Sequence, residues 1–169
     1  MNLDRNDTAV VFIDPQNEVL SETGLAWPLM LESLQENNTI ANMERIFEAA
    51  RSHRFEVFIS PHYFYPTDKG WTFNGPLETD EAASGYFARK GILNLDGLDG
   101  SGADWLARFK PYIEDGKAIV AAPHRVWGPE WGYGYTAALI NFAFLAHAVL
   151  TTDEAVKAMG TVSNTWPAQ

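Results

Sequence analysis

The 169-residue chain is 46% hydrophobic and 13% aromatic, which suits one packed domain and not a disordered chain. Its formal net charge of -10 argues against nonspecific binding to nucleic acid or to an anionic membrane. There is no cysteine, so disulfides, thiolate metal sites and a cysteine nucleophile are excluded within these residues. No apolar run approaches the ~20 residues of a membrane helix, and no signal-peptide pattern opens the sequence. The expectation is a cytoplasmic, soluble protein.

The first element is the apolar run Ala9 to Ile13. Five apolar residues without polar alternation predict a strand buried on both faces of a parallel sheet. Asp14-Pro15-Gln16-Asn17 follows. Pro15 has no N–H and restricts Asp14 to extended geometry, so strand pairing should stop there. Asp14 then lies at the C-terminal end of a strand, the edge where open α/β sheets bind ligands. It is either a catalytic or binding carboxylate, or a turn residue that only ends the strand.

From Asn17 to Glu36 the pattern is mixed and reads as a long loop with at most a short helix. Asn37 and Asn38 are placed to cap a helix running to about Ser52, with Ile40, Met43, Ile46, Phe47 and Ala50 on one face. Phe55 to Ser60 is a second strand ended by Pro61. Strand, helix and strand make a parallel unit with a right-handed crossover. His62 follows, on the same sheet edge as Asp14. Its readings are a metal ligand, a substrate contact or a structural hydrogen-bonding group.

Thr67 to Gly100 is rich in glycine and reads as a long excursion of the kind that forms lids or binding loops. Its Trp71, Phe73, Tyr86 and Phe87 could line a pocket, pin the loop or meet another subunit. Ser101 is expected to cap a helix carrying Trp105, Leu106 and Phe109 and closed by Pro111. Lys117 to Ala122 is a third strand, again followed by Pro-His at Pro123-His124. Arg125 to Tyr135 is a glycine- and aromatic-rich junction without the signature of a phosphate-binding loop. Thr136 to Ala146 predicts a helix apolar on nearly all sides, and Ala148 to Thr151 a short fourth strand. Thr151 and Glu154 have capping-box spacing for a last helix ending at Met159-Gly160. The resulting division is a single α/β domain over 1–160 and a tail over 161–169.

Four stretches together resemble the isochorismatase-like cysteine hydrolases. They are VVFIDPQNE (Val10 to Glu18), FISPHYFYPTD (Phe58 to Asp68), AIVAAPHRVWGPE (Ala118 to Glu130) and GYTAALINFAFLAHAVLTTDEAV (Gly134 to Val156). The resemblance implies a three-layer αβα parallel sheet of Rossmann-like topology. It also implies hydrolysis of a C–N bond in a small amide by an Asp-Lys-Cys triad. Asp14 matches the Asp, the general base, and Arg125 lies near the position of the Lys. Arg stays protonated, so it can orient a carboxylate but cannot exchange a proton at neutral pH. Gln16, Asn17, His62, Tyr63, His124 and Trp127 fall on the substrate side, with no metal and no cofactor.

The chain departs from this pattern in lacking the cysteine and the segment that bears it. Two strand–helix units are absent, with the junction near Pro129-Glu130. The resemblance therefore implies a shortened member whose hydrolysis is impaired or lost. Two other functions stand beside it: a noncatalytic binding or assembly module, and a metal-dependent hydrolase using Asp14, His62 and His124. The missing strands would leave the first strand short of a neighbour. Either the fourth strand takes that place, or a homo-oligomer covers the gap.

Overall fold

The computed structural model describes residues 3–66, 68, 75–91, 93–120 and 150–160. Three parallel strands form its sheet: β1 (Ala9–Ile13), β2 (Glu56–Ser60) and β3 (Ile119–Val120), in the order β1-β2-β3. Val11 lies beside Phe58, which lies beside Ile119, so the register carries these side chains on one face. The helices are α1 (Asn17–Leu20), α2 (Trp27–Glu36), α3 (Thr39–His53), α4 (Pro76–Ser84), α5 (Lys110–Ile113) and α6 (Thr152–Gly160). The class is mixed α/β. Among the described residues, no helix is long and apolar enough to cross a membrane.

The core lies on the face that carries Phe12 and Ile59. Phe12 stacks on Phe47 of α3 with ring centroids 3.5 Å apart, and Leu20, Ile59, Phe109 and Ile113 complete the cluster. α3 buries the face that its apolar spacing predicts, with Phe47 and Ala50 inside. α6 packs against α3 and adds Met159 to a second cluster with Ala49, Ala50 and Phe55. The Thr151–Glu154 capping box forms as its spacing foretells. The Glu154 carboxylate accepts from Thr151 N and Oγ1, both at 2.8 Å, and Glu154 N donates to Thr151 Oγ1 at 3.3 Å.

Four expectations need correction. β1 is not buried on both faces: Phe12 is buried, but Val11 is 58% exposed and Ile13 61%. An apolar run without alternation hides which face is covered, and here helices pack on one face of the described sheet. Among the described residues β1 pairs only with β2, and Leu150 and Thr151 are not in a strand.

The segment after Asn17 is not a loop but two helices. Pro28 sits in the first turn of α2, where a missing N–H does no harm, so it starts that helix rather than breaking it. The helix expected from Ser101 is absent, and Pro111 opens α5 instead of closing a longer helix. The Asp104 carboxylate accounts for this. It accepts from Gly100 N at 2.8 Å, Trp105 N at 2.8 Å and Lys110 Nζ at 2.7 Å, offering the backbone a turn in place of helical bonding. The helix expected over 136–146, strand residues Ala121, Ala122, Ala148 and Val149, Trp71, Phe73 and the 161–169 tail lie outside the described residues.

Candidate functional site

Ser60 ends β2 where Ile13 ends β1, so Asp14 and the Pro61-His62 pair leave the sheet side by side. Asp14 N donates to Ser60 O at 2.9 Å, and Gln16 N donates back to Asp14 O at 2.7 Å. This tight reversal over Pro15, held by both bonds, leaves Asp14 at φ 50°, in the left-handed region and not in the extended geometry expected before a proline. An L-residue pays sterically for that conformation, and Asp tolerates it better than most.

Asp14, His62 and Glu81 form the electrostatic centre. Partial burial pushes the Asp14 carboxyl above its ordinary range. His62 opposes that rise, and the Glu81 charge adds to it. Burial pushes the His62 imidazole below its ordinary range, against the pull of Asp14. Glu81 reaches from α4 to within 3.9 Å of His62 Nε2, a contact that is an ion pair only when the imidazole is protonated. The other side of the imidazole stacks on Phe87, with centroids 4.6 Å apart and planes 20° apart. The two affinities move toward each other, Asp14 upward and His62 downward.

Gln16 and Asn17, two of the residues assigned to the substrate side, lie below this centre. Gln16 is 0% exposed. Its amide donates to His62 O at 3.0 Å and Ala103 O at 2.7 Å, while its Oε1 accepts from His62 N at 2.7 Å. One side chain thus clamps the backbone of His62 to the end of β1. Asn17 is spent the same way, donating from Nδ2 to Ser101 O at 3.0 Å. Tyr63 stands beside the centre, with the Arg89 guanidinium 4.6 Å from its ring centroid and its phenol pushed up by burial. Arg125, His124 and Trp127 lie outside the described residues.

The sequence alone does not mark Glu18 or Glu81, and it offers Phe87 only as one of four loop aromatics that could line a pocket, pin the loop or meet another subunit. Glu18 is a carboxylate only 3% exposed. Its Oε1 accepts from Leu25 N, and its Oε2 accepts from Phe87 N at 3.0 Å. Gly24 and Gly102 make room for it. A Cβ at Gly24 would stand 2.1 Å from Glu18 O, and one at Gly102 2.0 Å from Glu18 Oε2. The available signal was spacing: Asp14, Gln16 and Glu18 alternate in one short stretch of polar residues following a strand.

Among the described residues, no group of three His, Cys, Asp or Glu is arranged to hold a metal ion. A separate hollow of about 390 Å³ lies at the opposite sheet edge, lined by Phe47, Arg51, Arg54, Tyr112 and Lys117 among others. Arg51 and Arg54 stand at the C-terminal end of α3, where a cation offsets the helix dipole without any ligand. In comparison with known proteins, the chain matches no family model and no curated protein sequence.

Proposed function

We propose that this chain is an isochorismatase-like three-layer domain that retains a binding and proton-transfer site for a small amide while lacking the means to form a thioester. The carrying observation is Asp14 itself. It stands at the C-terminal sheet edge, strained into left-handed geometry, with His62 beside it as electrostatic partner. Strain of this kind persists where the surroundings over-determine it, and Gln16 and Ser60 do so here.

Asp14 can accept a hydrogen bond from an amide N–H₂, and His62 can exchange a proton with the Asp14 carboxyl. The family reaction also needs a thiolate to attack the carbonyl carbon, and the sequence contains no cysteine to supply it. Binding is therefore retained and turnover lost. The reading is tested with acetamide and benzamide as probes, following the His62 ring resonances and ammonia release together. Concentration-dependent shifts at His62 without ammonia above the blank are expected. Ammonia release that Asp14→Ala abolishes would show that catalysis survives, and unmoved His62 resonances would remove the binding site.

The exposed Val11 and Ile13 favour a second reading, an assembly module. β1 lies at the edge of the described sheet, and an apolar edge strand invites pairing with another chain. Light scattering decides it. A dimer that Ile13→Lys dissociates supports assembly through this edge, whereas a monomer at all concentrations rejects it.

A further inference from the structure

We infer that Glu18 is a positioning residue: its buried carboxylate fixes Phe87 against the His62 ring and so determines where the imidazole sits beside Asp14. The inference rests on the reading of Asp14 and His62 as one site.

Four described non-glycine residues have left-handed backbone: Asp14, Asn38, Arg54 and Phe87. Asn38 and Arg54 flank α3 and need no further account. Asp14 and Phe87 are the two that stand against His62. An aromatic residue at φ 52° is an outlier that something must hold. Two bonds do so. Phe87 N donates to Glu18 Oε2 at 3.0 Å, and Phe87 O accepts from Phe64 N at 3.0 Å.

Glu18 is itself anchored. Its own N donates to Gly102 O at 2.8 Å, and its O accepts from Ala26 N at 3.2 Å. Glu18 thereby ties three loops to the end of β1: the one before α2, the one after α4 and the one before α5. The alternating residues of one stretch act on one imidazole. Asp14 supplies its charge partner, Gln16 clamps its backbone, and Glu18 sets the ring that stacks on it.

The test is a pH titration of the His62 ring resonances by NMR on the full chain, in wild type, Glu18→Ala and Asp14→Asn. Among the described residues, the charged groups facing His62 are Asp14 and Glu81. Glu18→Ala removes the acceptor of both backbone donors, Leu25 N and Phe87 N, so the Phe87 link is lost. Two changes are expected together: loss of the ring-current shift from Phe87, and a rise of the His62 midpoint as water reaches the ring. Removing a negative charge alone would lower the midpoint, so the sign separates positioning from charge.

A folded Glu18→Ala protein with both signals unchanged, or with a lowered midpoint and the ring-current shift intact, overturns the inference. Should Glu18→Ala fail to fold, Phe87→Leu replaces it. A raised midpoint supports Phe87 as the link, and an unmoved one overturns it. Asp14→Asn must lower the midpoint. If it does not, the pairing of Asp14 with His62 fails, which is a different result from a failure at Glu18.

Discussion

The ends of α3 and the surroundings of His62 use the same unusual backbone for different ends. At α3, Asn38 and Arg54 turn left-handed where the helix begins and stops. The Arg54 N–H returns to Ala50 and Arg51 carbonyls, as a helix end requires, and the side chain takes no part. Around His62, Asp14 and Phe87 turn left-handed between two bonded neighbours, and there the side chains are what the geometry delivers. Strain at the helix ends serves the path of the chain. Strain at the sheet edge serves the placement of a carboxylate and a ring.

The sharpest way to break this contrast is Gly102→Ala. The new Cβ would force Glu18 away, leaving Leu25 and Phe87 N–H groups without their acceptor. At ~1–3 kcal/mol each for the buried Phe87 N–H and the buried Glu18 carboxylate left unsatisfied, urea unfolding should register a loss of about 2–6 kcal/mol. Wild-type stability would mean that Glu18 carries little.

Phe87→Gly comes next. Glycine relieves the left-handed strain, but the buried ring is lost, and the net should be a destabilisation of about 3 kcal/mol in the same assay. A stabilised Phe87→Gly protein would place Phe87 with the helix ends and erase the distinction.

The pH dependence is smaller and more specific. His62 has a folded value below its unfolded one. Its stability contribution is present above about pH 6.5 and lost as pH falls through the folded value. Asp14 has a folded value above its unfolded one. Its contribution is present below about pH 4 and lost as pH rises through the folded value. The two slopes oppose each other in wild type. Asp14→Asn should expose a stability that climbs with pH toward about 6.5, and His62→Gln one that declines as pH rises from about 4. Thermal melts across that range read both, and parallel profiles for the two variants would contradict the assignment.

Arg54→Gly is the smallest change. It should be neutral or stabilising by up to about 1 kcal/mol, since glycine fits the C-cap and the Arg54 side chain makes no hydrogen bond or ion pair among the described residues. A clear loss of stability there would give Arg54 a role beyond ending α3.

The elements that could be read in advance are those whose signals are local. The apolar spacing of Ile40 to Ala50 marks α3, and Pro61 marks the end of β2. Thr151 and Glu154 mark the start of α6. Asp14 and His62 could likewise be placed on one sheet edge, because each follows the last residue of a strand by one or two positions. The misreadings have nonlocal causes. Asp104 draws Gly100 and Lys110 to itself, so Ser101 to Phe109 cannot form the helix that its apolar residues suggest. Pro28 looks like a breaker until its position in the first turn of α2 is known. Glu18 looks like an ordinary surface acid, since its partners Leu25, Phe87 and Gly102 lie at three different distances along the chain.

The closeness of Gly102 to Glu18 also constrains how this sequence can vary. A side chain at 102 and a full-length carboxylate at 18 occupy the same space, so the two positions are not free to drift independently. In a library randomised at both, survivors should fall into pairs. Glycine at 102 should accompany glutamate at 18, and larger residues at 102 should appear only where 18 has shortened. Gly102→Ala alone meets the carboxylate, so the open route between the two solutions shortens residue 18 first.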